Sequence, residues 1–455
     1  MRPSTPLRSS LRAAAALAVA AAVLFSAHTA TSRGKPEPVP APASCFWSDA
    51  WLADNPGYNF AYLDTSATYW SAQYTLPAGA KLSLEGRFAH ARYQSLNSYD
   101  TANGAPVDAL NDLQTPPVDG SLNPYQSGAS RAVPDKRRAY TAHISPDPAP
   151  ADPTTRQPGT LYAGQPGQAP TSGPSKQLVI YRVYVPDNGR DLTGGTGLPE
   201  PVLTLADGTR LTGNDVCGVL NSVPGPPPLR TLPKDAYLAA RDQPGKPTGF
   251  PATARPTWRA PYTTAWTLAC DFHDRCLPNP PRTVGQYSNI DNAYVYTYAN
   301  RALGPVLVLH GKVPTTPKTR TRQGVVREEQ LRYWSLCAYE KWSTKVDGKQ
   351  SCVDDEQLIT DHDGNYTVVM SRPEDRPASA TARNGVSWIA WPTNGDGAGH
   401  VDDALLTLRN MLPGDGFHQT AQETRVSGDE AAVMGPYLPT GFYTTTAGFR
   451  PDQLG

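Results

Sequence analysis

Two nine-residue stretches decide how this chain is read: Arg92-Tyr-Gln-Ser-Leu-Asn-Ser-Tyr-Asp100 and Arg332-Tyr-Trp-Ser-Leu-Cys-Ala-Tyr-Glu340. Five of the nine positions are identical, and the ninth exchanges one acid for another. The match continues on both sides in the same order. Gly79-Ala-Lys-Leu-Ser-Leu-Glu-Gly-Arg87 lines up with Gly304-Pro-Val-Leu-Val-Leu-His-Gly-Lys312 at an offset of 225, which Tyr69 and Tyr294 share. Downstream, Asp119-Gly120 answers Asp363-Gly364, Arg182-Val-Tyr-Val-Pro186 answers Arg409-Asn-Met-Leu-Pro413, and Leu198-Pro199 answers Leu438-Pro439. Self-similarity in a fixed order is the mark of a repeated structural unit. The expectation is one module present twice, related by internal duplication.

The matched stretches have the character of strands. Leu82 and Leu84, like Leu307 and Leu309, alternate with other side chains, the period of a half-buried strand. Residues 177–185 are rich in Val, Ile and Tyr, and Pro186 ends the run. The Asp-Gly pairs supply hairpin turns, because glycine reaches positive φ without steric cost. Residues 402–412 have a helical look, but their alignment with 181–185 argues for a strand. The 47 prolines and 38 glycines suit many turns and long loops rather than helices. The expected fold is mainly all-β: two tandem antiparallel β-sandwich or jelly-roll-like modules at 46–216 and 286–455, joined by a Cys- and Pro-rich connector at 217–285. A Pro/Gly/Ser-rich surface excursion is expected at 147–175 and an insert of the second module at 317–331.

Residues 1–32 read as a signal peptide. Arg2, Arg8 and Arg12 precede an unbroken apolar stretch, 13–25, too short to span a bilayer, and small residues follow. A linker, 33–45, leads into the mature part, which carries no second apolar run of spanning length and no transmembrane anchor. The protein is expected to be secreted to the extracellular side, from a high-GC actinobacterium by the composition of the signal. The six cysteines, Cys45, Cys217, Cys270, Cys276, Cys337 and Cys352, then imply three disulfides. Fifteen pairings are open to six cysteines; the preferred set is Cys45–Cys217, Cys270–Cys276 and Cys337–Cys352. Zinc competes weakly, since no CxxC pair occurs. A balance of 41 basic and 41 acidic residues leaves no electrostatic footprint for nucleic acid.

Candidate sites follow from the matched strand. Its alternation places Tyr93, Ser95 and Tyr99 on one face, and Tyr333, Ser335 and Tyr339 on the corresponding face of the second copy. These six are the candidate ligand-binding residues, as a polar-aromatic cleft in each module. The structural alternative is a core strand whose hydroxyls are satisfied internally. Arg182 and Arg409 are matched arginines in apolar strands; each has a matched acid, Asp100 or Glu340, for a partly buried ion pair, with anion binding as the other reading. Asp361-His-Asp-Gly-Asn365 begins like a calcium loop, giving Asp361, Asp363 and Asn365 as candidate metal ligands, although Arg372 stands where the closing glutamate belongs. The structural alternative is a hairpin turn. No cofactor is expected, with calcium as the alternative.

Cys270-Asp-Phe-His-Asp-Arg-Cys276 resembles the C-x-x-H-D-x-C core of secreted calcium-dependent phospholipases of the His–Asp type. That resemblance implies His273 and Asp274 as catalytic candidates, His273 activating a water and Asp274 binding calcium on a helix. No glycine-rich calcium loop precedes the segment, and the prolines at 278–281 would stop the helix. A small disulfide-closed loop explains the same residues. There is no GxSxG, no HExxH and no phosphate-cradling glycine loop.

At larger scale, Gly285–Tyr294, the LRYWSLCxxE strand, Ser371–Pro377 and Leu408–Pro413 resemble a family of uncharacterised exported, mainly actinobacterial proteins, and the modules resemble β-sandwich domains of unknown function with an SLxxYD strand. The resemblance implies the tandem β-sandwich fold and brings no catalytic residue. The expectation is therefore a non-catalytic ligand-binding or envelope-associated protein. Its partner would be a small molecule, glycan or lipid, held in a cleft between modules related by a pseudo-two-fold axis. The alternative is a secreted hydrolase acting on lipid or ester substrates through His273 and Asp274.

Overall fold

The matched stretches 79–87, 92–100, 177–185, 304–312 and 332–340 all overlap strands of the computed structural model. The structure describes residues 45–276, 282, 285–321, 324–325 and 328–451. The chain divides into two units, residues 1–38 and 39–455, and all described residues belong to the second. The expected signal peptide, almost all of the linker and residues 277–281 lie outside the described residues.

The first module begins with β1 (Ala67–Leu76), β2 (Lys81–Arg87), β3 (Ala91–Tyr99) and β4 (Pro106–Asn111). It continues with β5 (Ala139–Pro148), β6 (Thr160–Gly164), β7 (Ser175–Pro186), β8 (Glu200–Thr204) and β9 (Arg210–Thr212). These form two sheets, β1-β7-β3-β4 and β6-β5-β2-β8-β9. The second module contains β10 (Asn292–Asn300), β11 (Val306–Lys312), β12 (Leu331–Tyr339), β13 (Cys352–Asp354), β14 (Asn365–Ser371), β15 (Val386–Ala390), β16 (Asp403–Pro413) and β17 (Thr440–Thr444). Its sheets run β10-β16-β12-β13 and β15-β14-β11-β17. Strand for strand the orders correspond, β1 with β10 through β8 with β17, and β9 is the first module's addition. Each module also contains one parallel pair, β5 with β6 and β14 with β15, in an otherwise antiparallel fold. The excursion at 147–175 is therefore not all loop, since it carries the edge strand β6. Residues 402–412 are strand, as the alignment required.

The two faces of each central sheet bury different things. In β3, Leu96 joins the core that packs β1-β7-β3-β4 onto the outer sheet, with Trp70, Leu82, Leu84, Ile144 and Tyr181. In β12, Leu336 and Trp334 do the same with Leu307, Leu309, Val368 and Leu408. The opposite faces, with Tyr93, Tyr99, Tyr184, Tyr333, Tyr339 and Leu405, pack together in a third apolar layer. The result is four stacked sheets with the modules joined through their inner pair. Two matched glycines serve the outer sheets. A Cβ on Gly86 would stand 2.6 Å from the Tyr140 ring, and one on Gly311 would stand 2.7 Å from the Tyr366 hydroxyl. Each glycine lets a cross-strand tyrosine, Tyr140 of β5 or Tyr366 of β14, lie flat over the strand.

The disulfides are the preferred set, with Cα separations of 5.9 Å for Cys45–Cys217, 4.1 Å for Cys270–Cys276 and 4.0 Å for Cys337–Cys352. Cys337 and Cys352 are direct partners in the β12–β13 ladder. The connector is structured. It follows α1 (Asn214–Leu220) with α2 (Lys234–Arg241) and α3 (Thr264–Thr267), which runs into a wide π-type turn, Leu268–Phe272. The insert at 317–331 reaches across to the first module, where the Arg131 N–H donates to the Gly324 carbonyl at 2.9 Å.

Candidate functional site

The site begins with the segments that lead into β1 and β10. Tyr62 and Tyr287 stand at the same 225-residue offset as Tyr69 and Tyr294, and both are held at positive φ, +56° and +57°. A tyrosine rarely adopts this region, so tertiary contacts must hold it there. Those contacts are reciprocal. The Tyr287 N–H donates to the Gly104 carbonyl of the first module at 2.9 Å, and the Tyr62 N–H donates to the Thr344 carbonyl of the second at 2.9 Å. In return, Arg182 Nη2 of β7 donates to the Tyr287 carbonyl at 2.5 Å, and Arg409 Nη2 of β16 donates to the Tyr62 carbonyl. Each lead-in segment is thus clamped by the other module's arginine, the self-complementary pattern of a two-fold relation.

Between the clamps lies a cavity of about 400 Å³. Its walls are largely aromatic and aliphatic: Trp51, Tyr69, Tyr184, Tyr294, Tyr296 and Leu405 come from the modules, and Leu229, Leu232, Tyr262, Leu268 and Phe272 from the connector. Arg230, Thr231, Thr264 and Gly285 of the lining are exposed and mark the side on which the cavity opens, its mouth. Among the described residues four cations line it, Arg182, Arg230, Lys341 and Arg409, and no Asp or Glu does.

The two clamp arginines differ in charge balance. Arg409 Nη1 lies 3.5 Å from Asp64, which also accepts from Tyr333 at 2.9 Å and Ser335 at 2.6 Å. At the position matching Asp64 the second copy has Asn289, paired with the Tyr93 hydroxyl. Among the described residues Arg182 therefore forms no ion pair, and its Nε and Nη1 have no hydrogen-bond partner although the residue is 1% exposed. Burying an unpaired guanidinium costs on the order of several kcal/mol. The rings of Tyr69 and Tyr99, each 5.5 Å from its Cζ, offset roughly 1–2 kcal/mol apiece. The Tyr287 carbonyl recovers a further part.

The wall opposite is built by the connector. Asp271, in the π-type turn, accepts from Tyr296 at 2.6 Å and Tyr298 at 3.2 Å and pairs with Arg259 at 3.3 Å. Burial raises the Asp271 carboxyl above the ordinary carboxylate range, against the opposing pull of those donors. Burial and the Asp271 charge push both phenols well up, so each stays a donor. Lys341 lies over the rings of Tyr62, Tyr296 and Tyr298 at 5.7–6.0 Å.

The six residues expected to form open clefts are instead sealed between the modules, at 0–2% exposure. Tyr93 donates to Asp291 at 2.6 Å, Tyr99 to the Ser288 carbonyl at 2.8 Å, Tyr339 to the Leu63 carbonyl at 2.8 Å, and Ser95 accepts from Asn97 at 3.0 Å. Tyr333 and Ser335 share Asp64. These residues build the joint, and the cavity opens beside them. The expected pairing of Arg182 with Asp100 and Arg409 with Glu340 is also corrected. Asp100 lies just past β3 and caps a turn by accepting from the Ala102 N–H at 2.7 Å, while Glu340 holds Ser343 and Asn394.

His273 and Asp274 lie on the exposed surface. The Asp274 side chain is 76% exposed, sits at φ +53° and pairs with Lys246 at 2.6 Å. The Lys246 hydrogen bond and charge hold its carboxyl below the usual range. The structure gives His273 no place in the cavity lining. Asp361, Asp363 and Asn365 form an exposed turn in which Asp361 accepts from the N–H groups of Asp363 and Asn365 at 2.9 and 2.8 Å and from the Asn365 amide at 2.9 Å. The turn itself uses the oxygens that would bind calcium. Of two other clusters of metal-ligand type, one holds the disulfide sulfurs of Cys337 and Cys352, and in the other Arg241 grips Asp403 at 2.7 and 3.1 Å.

No family model matches the chain, and no curated protein matches it. Among solved structures it is similar to an uncharacterised protein from Burkholderia cenocepacia, with a TM-score of 0.45 and 12% identity over 89% of this chain and 82% of that one. It is similar also to the VPA0106 protein from Vibrio parahaemolyticus, with a TM-score of 0.37 and 12% identity over 85% of this chain and 91% of that one.

Proposed function

We propose that this is an exported, non-catalytic binding protein that holds a small molecule in the cavity between two modules descended from one. The observation that carries the reading is the cavity itself. At about 400 Å³ it falls within the range of small-molecule sites, and its aromatic walls converge with a few buried polar groups. Export is supported by the signal-like N-terminus, the three disulfides and the resemblance to exported proteins. Among the described residues no helix is long and apolar enough to cross a membrane.

The test uses the mouth. Gly285 is exposed, and a Cβ there would meet only the Ser288 hydroxyl at 3.5 Å. Gly285→Trp therefore has room to fold while narrowing the opening. Small molecules selected by thermal shift on the wild type are expected to lose affinity for Gly285→Trp, with the variant's own melting temperature unchanged. Ligands that bind both proteins equally would remove the cavity as the binding site.

The hydrolytic alternative has less behind it, because Asp274 is engaged by Lys246 and both candidate residues are exposed. Assays on lipid and ester substrates with and without calcium, beside His273→Ala, address it directly. Calcium-dependent turnover lost in the variant would replace the binding reading.

A further inference from the structure

We infer that the cavity takes an organic oxyanion, an acidic head group on an apolar or aromatic body, with the head seated on Arg182. The inference rests on the binding reading above and names the class of ligand.

The two-fold relation fails at the clamp arginines. Both modules present a clamp arginine to the cavity, and both use the same tyrosine–serine strand beside it. In the second module's clamp Asp64 stands 3.5 Å from Arg409 and balances it. In the first, Asn289 takes the matching position, and Arg182 keeps its charge with Nε and Nη1 unused. Asp291 does not substitute. It accepts from Tyr93 at 2.6 Å and Asn111 at 3.0 Å, and although its carboxyl feels the Arg182 charge through space, the two form no ion pair. Lys341 lines the same cavity, and the Asp271 carboxyl feels its charge without forming an ion pair with it. The acids behind the walls are committed, Asp64 to Arg409 and Asp271 to Tyr296, Tyr298 and Arg259.

A cavity lined by four cations and no carboxylate among the described residues, with aromatic sides, is complementary to an anion joined to an apolar body. An acidic head would balance the positive charge that Arg182, Lys341 and Arg409 bring to the lining. The rings of Tyr69, Tyr184 and Tyr294 would flank the body. A neutral ligand would leave the guanidinium uncompensated, and a cationic one would add to the repulsion. Exposed Arg230 at the mouth draws the same sign of ligand inward.

The experiment uses three probes with one body and different heads: 2-naphthoate, 2-naphthylmethanol and 2-naphthylmethylammonium. Their affinities are measured by calorimetry on the whole mature protein. The wild type is expected to bind the naphthoate roughly ten- to hundred-fold more tightly than the alcohol, the worth of one or two hydrogen bonds to a charged group. The ammonium should bind more weakly still. Arg182→Gln is expected to abolish the preference. Because Arg182 also clamps Tyr287, a second variant guards against loss of the fold. Asn289→Asp gives Arg182 the carboxylate that Asp64 gives Arg409, so it should fold and lose the preference as well, with its melting temperature as the check.

Equal affinity for naphthoate and alcohol in the wild type overturns the inference and leaves the cavity reading standing. So does a preference retained in both variants. Failure of all three probes to bind overturns the cavity reading and the inference with it.

Discussion

Arg92 of the first module holds Asp355 of the second, with Nη1 at 2.5 and 2.6 Å from the two carboxylate oxygens and both side chains fully buried. The same arginine reaches Glu356 through Nη2. The reciprocal contact is looser, Arg332 standing 3.5 Å from Asp112. In each case the carboxylate also accepts a main-chain N–H of the matched strand, Trp334 for Asp355 and Gln94 for Asp112, both at 2.9 Å. The matched arginines that open the two nine-residue repeats thus tie the modules together, each to the other's acid.

Breaking the tighter tie leaves a buried charge without its partner. Arg92→Met is expected to destabilise the protein by roughly 3–5 kcal/mol. Replacing both members, Arg92→Met with Asp355→Leu, should cost less than the sum of the single changes, because Asp355 is no longer stranded and Glu356 keeps the Arg320 N–H at 3.0 Å. Urea unfolding of the four proteins reads the coupling. Additive effects would show that the pair carries no interaction of its own.

Asp112 gives the joint a pH dependence. Burial pushes its carboxyl up to about 6, against the pull of Arg332. A carboxyl whose folded pKa is raised favours the folded state most at low pH. Its contribution falls as pH rises from about 4 to about 6 and is constant above that, for a total of roughly 3 kcal/mol. Asp112→Asn removes this titration. The stability of the variant relative to wild type should therefore rise between pH 4 and pH 7, measured by denaturant melts across the range. A flat difference would show that Asp112 does not titrate there.

The Cys45–Cys217 disulfide spans 172 residues and closes almost the whole first module. In the chain-entropy account such a loop is worth roughly 5 kcal/mol. Cys45→Ala with Cys217→Ala should lower stability by up to that amount, and more than removal of Cys337–Cys352, whose 15-residue separation is worth about 3 kcal/mol. Equal losses for the two pairs would contradict the loop-length ordering.

Gly86 and Gly311 should tolerate no side chain. Gly86→Ala and Gly311→Ala each press a methyl onto a buried tyrosine, at an expected cost of roughly 1–3 kcal/mol. Pairing Gly311→Ala with Tyr366→Leu should recover most of the loss, since the smaller side chain no longer lies flat over the strand. Thermal melts decide it, and an unchanged melting temperature for Gly311→Ala would mean that the ring has somewhere else to go.

Much of the architecture was legible beforehand. The period-two pattern in β3 and β12 assigned each side chain to its face, and the faces observed are those assigned. The matched pairs Leu198-Pro199 and Leu438-Pro439 lie just before the corresponding strands β8 and β17. The site was legible only in part. Arg182 and Arg409 stood out as matched charges in apolar strands, but the acids matched across the two copies were the wrong partners. Tyr62 and Tyr287 were overlooked. Their signal was the continued 225-residue offset, thinned because only the tyrosine is identical across Tyr62-Leu-Asp and Tyr287-Ser-Asn.

What the sequence determined by itself was local and periodic: which residues form strands, which side chains share a face, and that the pattern occurs twice. Backbone propensity and alternation act over a few residues, so they can be read along the chain. What covers each face was decided only in the tertiary structure. The Tyr-Ser-Tyr faces became the joint because each module offers the other an equally apolar, hydroxyl-bearing surface, and burying both removes more area from water than leaving two clefts open. The cavity exists because the clamps and the connector hold the edges of that joint apart. The free charge of Arg182 exists because one carboxylate, Asp64, has no counterpart across the two-fold relation.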